Sequence, residues 1–175
     1  MDLPALGLPS GTVVVREYDA RWPALYASEA ARLTTAVAPL TVRLEHSGST
    51  AVPGLAAKPI VDLLAGVEPD APLAPVVAAI AAAGYVHRGE QGIAGREFFR
   101  RGEPRSYHLH LTTIGSQFWR DQRDFRDWLR ARRDDRDAYA ALKRELAARY
   151  PFDREAYIDG KTDFVVAVLS RARAG

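Results

Sequence analysis

The sequence has no cysteine and only one methionine among its 175 residues. The lack of cysteine excludes a disulfide framework, a zinc finger, an iron–sulfur cluster held by thiolates and a thiol nucleophile. No apolar run approaches the roughly 18 residues of a membrane-spanning helix. The N-terminal residues also lack the basic and long apolar regions of a signal peptide. We therefore expect a cytoplasmic protein with no membrane partner.

A strong excess of one charge is also missing, because 24 Lys and Arg residues face 22 Asp and Glu residues, for a net charge of +2. No aromatic residues are spaced as a platform for stacked bases, so a nucleic-acid partner is not expected. The length and the ordinary composition favour one globular domain.

The first residues are rich in proline and glycine. We predict residues 1–11 as a flexible leader and residues 12–175 as a single domain. Residues 12–16 are β-branched and are predicted as a strand. Apolar residues spaced by three and four from Trp22 to Val37 predict an amphipathic helix, with Asp19 as its N-cap.

The rest of the chain alternates short apolar segments with helical ones and ends in helices. Strands before a block of helices predict an α+β or mixed α/β fold built on one sheet. A C-terminal three-helix segment is predicted at about 116–131, 134–149 and 153–171. The other predicted elements are strands at 41–46, 60–67, 85–87, 96–101 and 106–112 and a helix at 70–83.

A turn rich in glycine and hydroxyl groups, Gly48, Ser49 and Thr50, lies between two of these strands. Glycine allows a tight approach of the backbone to a ligand, and adjacent N–H and hydroxyl groups can hold a phosphate. An ordinary loop is the alternative, because such a turn is weak evidence alone.

Asp62 lies inside the apolar strand that follows the turn. Burying a carboxylate without a partner costs on the order of several kcal/mol of folding free energy. Asp62 therefore pairs with a base such as Lys58 or Arg96, holds a metal, or faces a pocket near the strand end.

His108 and His110 are separated by one residue on a predicted strand, so both imidazoles lie on one face. Such a pair can ligate a metal, act in acid–base catalysis or contact phosphate, although a structural role is common. If both share a face with Asp62, the three groups form a divalent-ion or general-base site.

Two Tyr-x-x-x-Lys pairs occur in the predicted helices, Tyr139 with Lys143 and Tyr157 with Lys161. Residues four apart share a helix face, so each pair could contribute to a surface that binds an anion such as a triphosphate. Solvated lysines beside half-buried tyrosines are the alternative. The predicted cationic set is Lys58, Arg96, Arg100, Lys143 and Lys161.

Several segments together resemble the GrpB family over nearly the whole chain, from about Val15 to Leu169. They are HSGSTAVPGLAAKPIVDLL, YHLHL, FRDWLR, AYAALKRELA and AYIDGKTDFV. This family is similar to the nucleotidyltransferase superfamily, and a related domain is fused to dephospho-CoA kinase in some bacteria. The resemblance implies a small mixed sheet with flanking helices and a Gly-Ser turn before a strand that carries a carboxylate.

In active nucleotidyltransferases a Gly-Ser pair binds phosphate and precedes an Asp-x-Asp strand. The resemblance places Gly48 and Ser49 at the pair and Asp62 at the first acid, but Leu64 occupies the position of the second acid. Two-metal chemistry needs several carboxylate oxygens, which one Asp and two imidazoles do not supply. Glu45 could substitute for a missing acid, so a site for Mg²⁺ or Mn²⁺ would use Asp62, His110 and Glu45.

Three functions are therefore open. The first is a transferase that handles a nucleotide or another phosphate compound, with Asp62, His108 and His110 as candidate catalytic residues and one metal or a histidine base. The second is a module that binds a nucleotide or CoA-like ligand without catalysis. The third is an interaction domain whose C-terminal helices bind a protein.

Overall fold

The computed structural model describes residues 6–174 and contains one five-stranded sheet with the order β1-β2-β5-β4-β3. Strands β2 and β5 are parallel, and the other neighbours are antiparallel. The mixed α+β fold is therefore confirmed. The strands are β1 Arg43–Ser47, β2 Val61–Val67, β3 Val86–His87, β4 Glu97–Arg101 and β5 Tyr107–Thr113.

Helices cover the sheet. On one face, α1 and α2 bury Trp22, Leu33 and Ile80 against apolar residues of β2 and β5. Across the sheet, the ring of Trp119 lies against Gly66, where a Cβ atom would come within 2.5 Å of it. The helices are α1 Trp22–Val37, α2 Leu73–Ala82, α3 Gln117–Ala131, α4 Arg133–Arg149, α5 Arg154–Asp159 and α6 Thr162–Ala174. None of the helices in residues 6–174 has the length and apolar content needed to cross a bilayer.

The C-terminal segment contains four helices where three were predicted. The predicted helix at 153–171 is interrupted after Asp159, so that Gly160 and Lys161 separate α5 from α6. A Cβ atom on Gly160 would lie 2.5 Å from a methyl group of Leu146, so α4 and the break approach closely. Tyr157 and Lys161 consequently do not belong to one helix.

The N-terminal predictions also need correction. Residues 12–16 add no strand to the sheet, and Arg16 makes an isolated bridge to Ala57. Residues 1–5 of the predicted leader lie outside the described residues, but residues 6–11 are anchored, because Leu8 is fully buried and bridges Arg105. The N-cap of α1 is Arg21, and the carboxylate of Asp19 accepts a hydrogen bond from the Arg21 backbone N–H at 2.9 Å.

The strand register brings the predicted chemical groups to one face of the sheet. Asp62 pairs with His108 on β5 and with Ser47 on β1. His110 pairs with Phe98 on β4. Because paired residues and alternate residues of a strand share a face, Asp62, His108 and His110 project together from the face opposite α1 and α2.

A buried carboxylate on α1 links the helix to the sheet. Glu29 is 5% exposed, and its oxygens accept hydrogen bonds from Arg32, Arg101 and the hydroxyl of Tyr85. Each bond to the ionised group is charge-assisted, which compensates for its removal from water.

We expect Glu29→Gln to destabilise the fold by roughly 2–4 kcal/mol, since two arginines lose their counter-charge in a partly buried site. Chemical denaturation measures this free energy. The exposed Glu68→Gln is the matched control and should change it by less than about 0.5 kcal/mol. Equal effects of the two substitutions would contradict the role of Glu29.

Candidate functional site

A cavity of about 450 Å³ lies between the face of the sheet that carries Asp62 and the C-terminal helices. Twelve of the predicted site residues line it, although they come from separate strands, turns and helices. These are Gly48, Ser49, Thr50, Lys58, Asp62, Arg96, His108, His110, Tyr139, Lys143, Tyr157 and Lys161.

Gly48 begins the turn at the end of β1 and precedes a single 3-10 turn at Ser49–Ala51. Its φ of 68° lies in the region that favours glycine. A Cβ atom at this position would lie 2.4 Å from Oδ2 of Asp62. Glycine therefore allows the backbone of the turn to approach the carboxylate.

Side chains outside the turn hold it in place. The ring of His46 stacks on Tyr26, and its Nε2 lies 2.9 Å from the Thr50 hydroxyl. Arg130 of α3 donates a hydrogen bond of 2.9 Å to the Ala51 carbonyl. The Thr50 side chain is thus engaged by His46, while the Ser49 hydroxyl borders the cavity.

Asp62 is in close contact with both histidines of β5. Its Oδ1 lies 3.3 Å from Nδ1 of His108 and 3.5 Å from Nε2 of His110. The remaining nitrogens, Nε2 of His108 and Nδ1 of His110, have no hydrogen-bond partner among the described residues. His108 therefore has one buried ring nitrogen without a hydrogen-bond partner, while its other nitrogen faces a carboxylate.

Burial and mutual contacts set the protonation states of Asp62 and His108. Burial alone would raise the pKa of Asp62, but the contacts with His108 and His110 outweigh it and hold that pKa far below its usual range. Burial lowers the pKa of His108 to about 4, even though Asp62 acts in the other direction. At neutral pH the site therefore combines an ionised carboxylate with a neutral imidazole, which is the state of a general base.

Three lysines lie around the turn and Asp62. The Lys143 ammonium donates a hydrogen bond of 2.9 Å to the Ser49 hydroxyl and another to the Ala56 carbonyl. Lys161 and Lys58 both lie over the ring of Tyr157, with Nζ at 4.4 and 5.4 Å from its centroid. Lys161 thus lies beside Tyr157 from the break between α5 and α6, and not from the shared helix face that was predicted.

The ammonium groups are poorly compensated by acids. Burial lowers the pKa of Lys58 to about 7, with Lys161 contributing in the same direction. Burial likewise lowers the pKa of Lys161 to about 8 and puts that of Lys143 well below its usual value. Asp62 is the carboxylate that opposes these shifts. An anionic ligand would satisfy this unbalanced charge.

The two predicted arginines occupy different places. Arg96 borders the cavity and donates hydrogen bonds to the carbonyls of Glu90 and Gln91, so it also holds the glycine-rich loop 89–95. Arg100 does not line the cavity; its guanidinium lies over the ring of Phe98. It is therefore not in position for the predicted contact with phosphate in this cavity.

Glu45 is also placed away from the cavity, contrary to its predicted role as a metal ligand. Register pairs it with Leu64, and its carboxylate forms ion pairs with Arg43, Arg123 and Arg126. It anchors α3 to β1.

The remaining donors do not fit a divalent cation of the nucleotidyltransferase type. In residues 6–174 no group of three histidine or acidic side chains is arranged to hold a metal ion. The position of the second acid is the buried Leu64, and five lysine and arginine side chains line the same cavity. Positive charge at this density repels Mg²⁺ or Mn²⁺.

Some residues that line the cavity were not predicted from the sequence. Arg154, at the start of α5, lines the cavity, and its Nε has no partner among residues 6–174. Phe98 contacts the rings of both His108 and His110 with centroids 5.1 Å apart. Only the alternation of side chains along β4, together with its pairing with β5, could have indicated Phe98. Nothing in the sequence distinguishes Arg154 from the other arginines.

Comparison with known proteins agrees with this architecture. The model of the GrpB protein family matches residues 12–171. The chain is 42% identical to the UPF0157 protein of Pseudomonas aeruginosa over 89% of its own length, and 34% identical to the UPF0157 protein YqkA of Bacillus subtilis over 94%. It spans 66% of the first relative and 48% of the second. It is also 30% identical to a dephospho-CoA kinase of Mycolicibacterium paratuberculosis, over 88% of this chain and 44% of the kinase.

A solved structure of the same family shows the same fold. The crystal structure of the conserved protein GrpB from Enterococcus faecalis has a TM-score of 0.82 and 32% identity, over 91% of this chain and 96% of the other. The Cid1 poly(U) polymerase has a TM-score of 0.42 and 13% identity, over 66% of this chain and 42% of the other. At that level the likeness supports no statement about activity.

We expect Gly48→Ala to disturb Asp62 as well as the turn. Gly54→Ala is the matched control, because Gly54 has a φ of 78° but its Cβ atom would lie 3.6 Å from the nearest atom. Both variants carry the strain of a positive φ, of about 1–2 kcal/mol. Only Gly48→Ala should lose a further 1–3 kcal/mol, on the order of an overpacking effect, and shift the His108 and His110 NMR resonances. Equal losses would show that the turn does not press on Asp62.

Proposed function

The chain belongs to the GrpB family, and from that premise we propose that it is a transferase acting on a nucleotide or a related phosphate compound. The observation that carries the proposal is the surplus of positive charge in the cavity. Five of its lining side chains are lysine or arginine, and two are acidic. One of the two acids, Asp121, forms an ion pair with Arg173 of α6.

The turn and the lysines are the proposed phosphate site. Gly48, Ser49 and Lys143 all line the cavity, and the Lys143 ammonium donates a hydrogen bond to the Ser49 hydroxyl. Such groups stabilise the charge that develops on phosphate oxygens during transfer. In this proposal Lys161 and Arg154 extend the site along the cavity.

His108 is the proposed general base. An acceptor hydroxyl or amine would donate its proton to Nε2 of His108 as its oxygen or nitrogen forms the new bond to phosphorus. The bond between phosphorus and the leaving phosphate oxygen breaks in the same reaction, and the lysines bind the departing anion. Asp62 acts through His108 as a positioning residue that faces Nδ1 and stabilises the imidazolium.

A non-catalytic module for a nucleotide or CoA-like ligand is the second candidate. It is favoured by the buried Leu64 at the position where active nucleotidyltransferases carry their second acid. The similarity to part of a dephospho-CoA kinase is consistent with a CoA-like ligand. Both candidates use the same anion site and differ in whether His108 accepts a proton.

We expect His108→Gln and Asp62→Asn to lose transfer activity by about 10²–10⁴-fold, the usual contribution of a general base. Nucleotide affinity should change only a few-fold in His108→Gln, because the proposed anion contacts remain. Activity is measured by mass spectrometry of products after incubation with ATP, GTP, CTP or UTP and candidate acceptors; affinity is measured by calorimetry.

The exposed Asp137→Asn serves as a charge control and should retain full activity. If the wild-type protein binds nucleotides but forms no product with any acceptor, the module is correct and the transferase is not. If His108→Gln keeps its turnover, His108 is not the base.

The pH dependence of kcat gives an independent test. An unshifted histidine base would lose activity as the pH falls through about 6.5. With a pKa of about 4, His108 stays neutral, and kcat at saturating nucleotide should be nearly constant from pH 8 to pH 5.5. A decline centred near pH 6.5 would contradict the buried, neutral state of His108.

A further inference from the structure

Lysine is rare in this chain, and every lysine lines the cavity. Of the 24 basic residues, 21 are arginine and three are lysine. The three lysines, Lys58, Lys143 and Lys161, all line the cavity. The chain uses arginine for charge everywhere else, so the concentration of lysine at the cavity indicates a requirement for that side chain.

The three ammonium groups surround one space. Lys143 reaches the Ser49 hydroxyl of the turn, and it is 2% exposed. Lys58 and Lys161 lie over one tyrosine ring and repel each other. Neither the Lys58 ammonium nor the Lys161 ammonium has a hydrogen-bond or ion-pair partner among the described residues. A tyrosine ring contributes only part of the stabilisation that a buried ammonium needs.

Divalent cations normally neutralise the phosphates of nucleotides in transferases, and they need carboxylate oxygens. Here Leu64 replaces one acid, Glu45 is bound by arginines, and Asp62 faces two imidazoles. A lysine ammonium is a compact point charge with three donors, which makes it a closer substitute for a metal ion than the planar guanidinium.

We infer that Lys58, Lys143 and Lys161 together take the place of the divalent cation, so that the cavity binds a polyphosphate ester in its metal-free form. This inference rests on the proposed function and specifies its substrate. The magnesium complex of the same ligand binds more weakly, because Mg²⁺ cancels part of the negative charge and would be brought against the lysines and Arg154.

Proton uptake accompanies this mode of binding. With pKa values near 7 and 8, Lys58 and Lys161 are partly neutral in the empty cavity at pH 8. An anion beside them raises both pKa values, so protons are taken up on binding at pH 8 and fewer at pH 6, where both groups are already charged.

Calorimetry with inorganic tripolyphosphate, ATP, GTP, CTP, UTP and CoA tests the inference. Each probe is titrated into the wild-type protein in EDTA and in excess MgCl₂, at pH 8 and pH 6, in two buffers of different ionisation enthalpy. We expect at least one probe to bind in EDTA, at least tenfold more weakly in MgCl₂, and with proton uptake that is greater at pH 8.

Lys161→Met separates binding from folding. Removing a half-buried cation that has no ion-pair partner among residues 6–174 should leave the ligand-free melting temperature equal or higher. The same change should weaken binding in EDTA at least tenfold. Arg133→Gln removes an equal charge from a side chain that is 82% exposed, and should change binding less than twofold. Lys161→Arg should not restore wild-type affinity if a compact ammonium is required.

The outcomes are distinct. Binding that requires Mg²⁺ would overturn the metal-free inference and leave the proposed function intact. Absence of binding for every probe under both conditions would overturn the proposed function itself. Binding in EDTA that Lys161→Met does not weaken would show that the lysines do not replace the divalent cation.

Discussion

The ionised carboxylate of Asp62 is the constraint around which the site is built. It lies on β2 in a cavity where lysine and arginine side chains outnumber acids. Glycine at position 48 allows the turn to approach it, and two imidazoles of β5 contact its Oδ1. Its negative charge opposes the fall in the pKa of each lysine. One carboxylate does not balance these cations, and the proposed anionic ligand would complete the balance.

The fold assembles this site from distant segments. Parallel pairing of β2 with β5 sets Asp62 beside His108, and α3 fixes the turn through Arg130. The interruption between α5 and α6 places Lys161 outside both helices, with its ammonium over the ring of Tyr157. On the other face of the sheet, the hydrogen bonds that Arg32 and Arg101 donate to Glu29 link α1 to the sheet.

Local patterns predicted most elements, because periodicity and turn residues reflect local physics. The alternation around His108 and His110 predicted that their imidazoles share a face, and the register of β2 with β5 places Asp62 on that face too. Residues 12–16 were wrongly predicted as a strand, because β-branched residues form one only when paired along their length, and here Arg16 makes an isolated bridge to Ala57. The break at Gly160 and the capture of Glu45 by arginines depend on tertiary contacts with Leu146 and α3, which no local pattern encodes. For the same reason Arg100 resembled Arg96 in sequence but lies outside the cavity.

Thermal unfolding with ATP, GTP, CTP, UTP or CoA in the presence of EDTA tests most directly whether the cavity is an anion site. A ligand at a hundredfold excess over its Kd adds about 2.7 kcal/mol of apparent stability. That corresponds to several degrees in Tm for a domain of this size. We predict such a shift for at least one compound, and its loss in Lys161→Met. An unchanged Tm with every compound, both in EDTA and with Mg²⁺, would contradict the account.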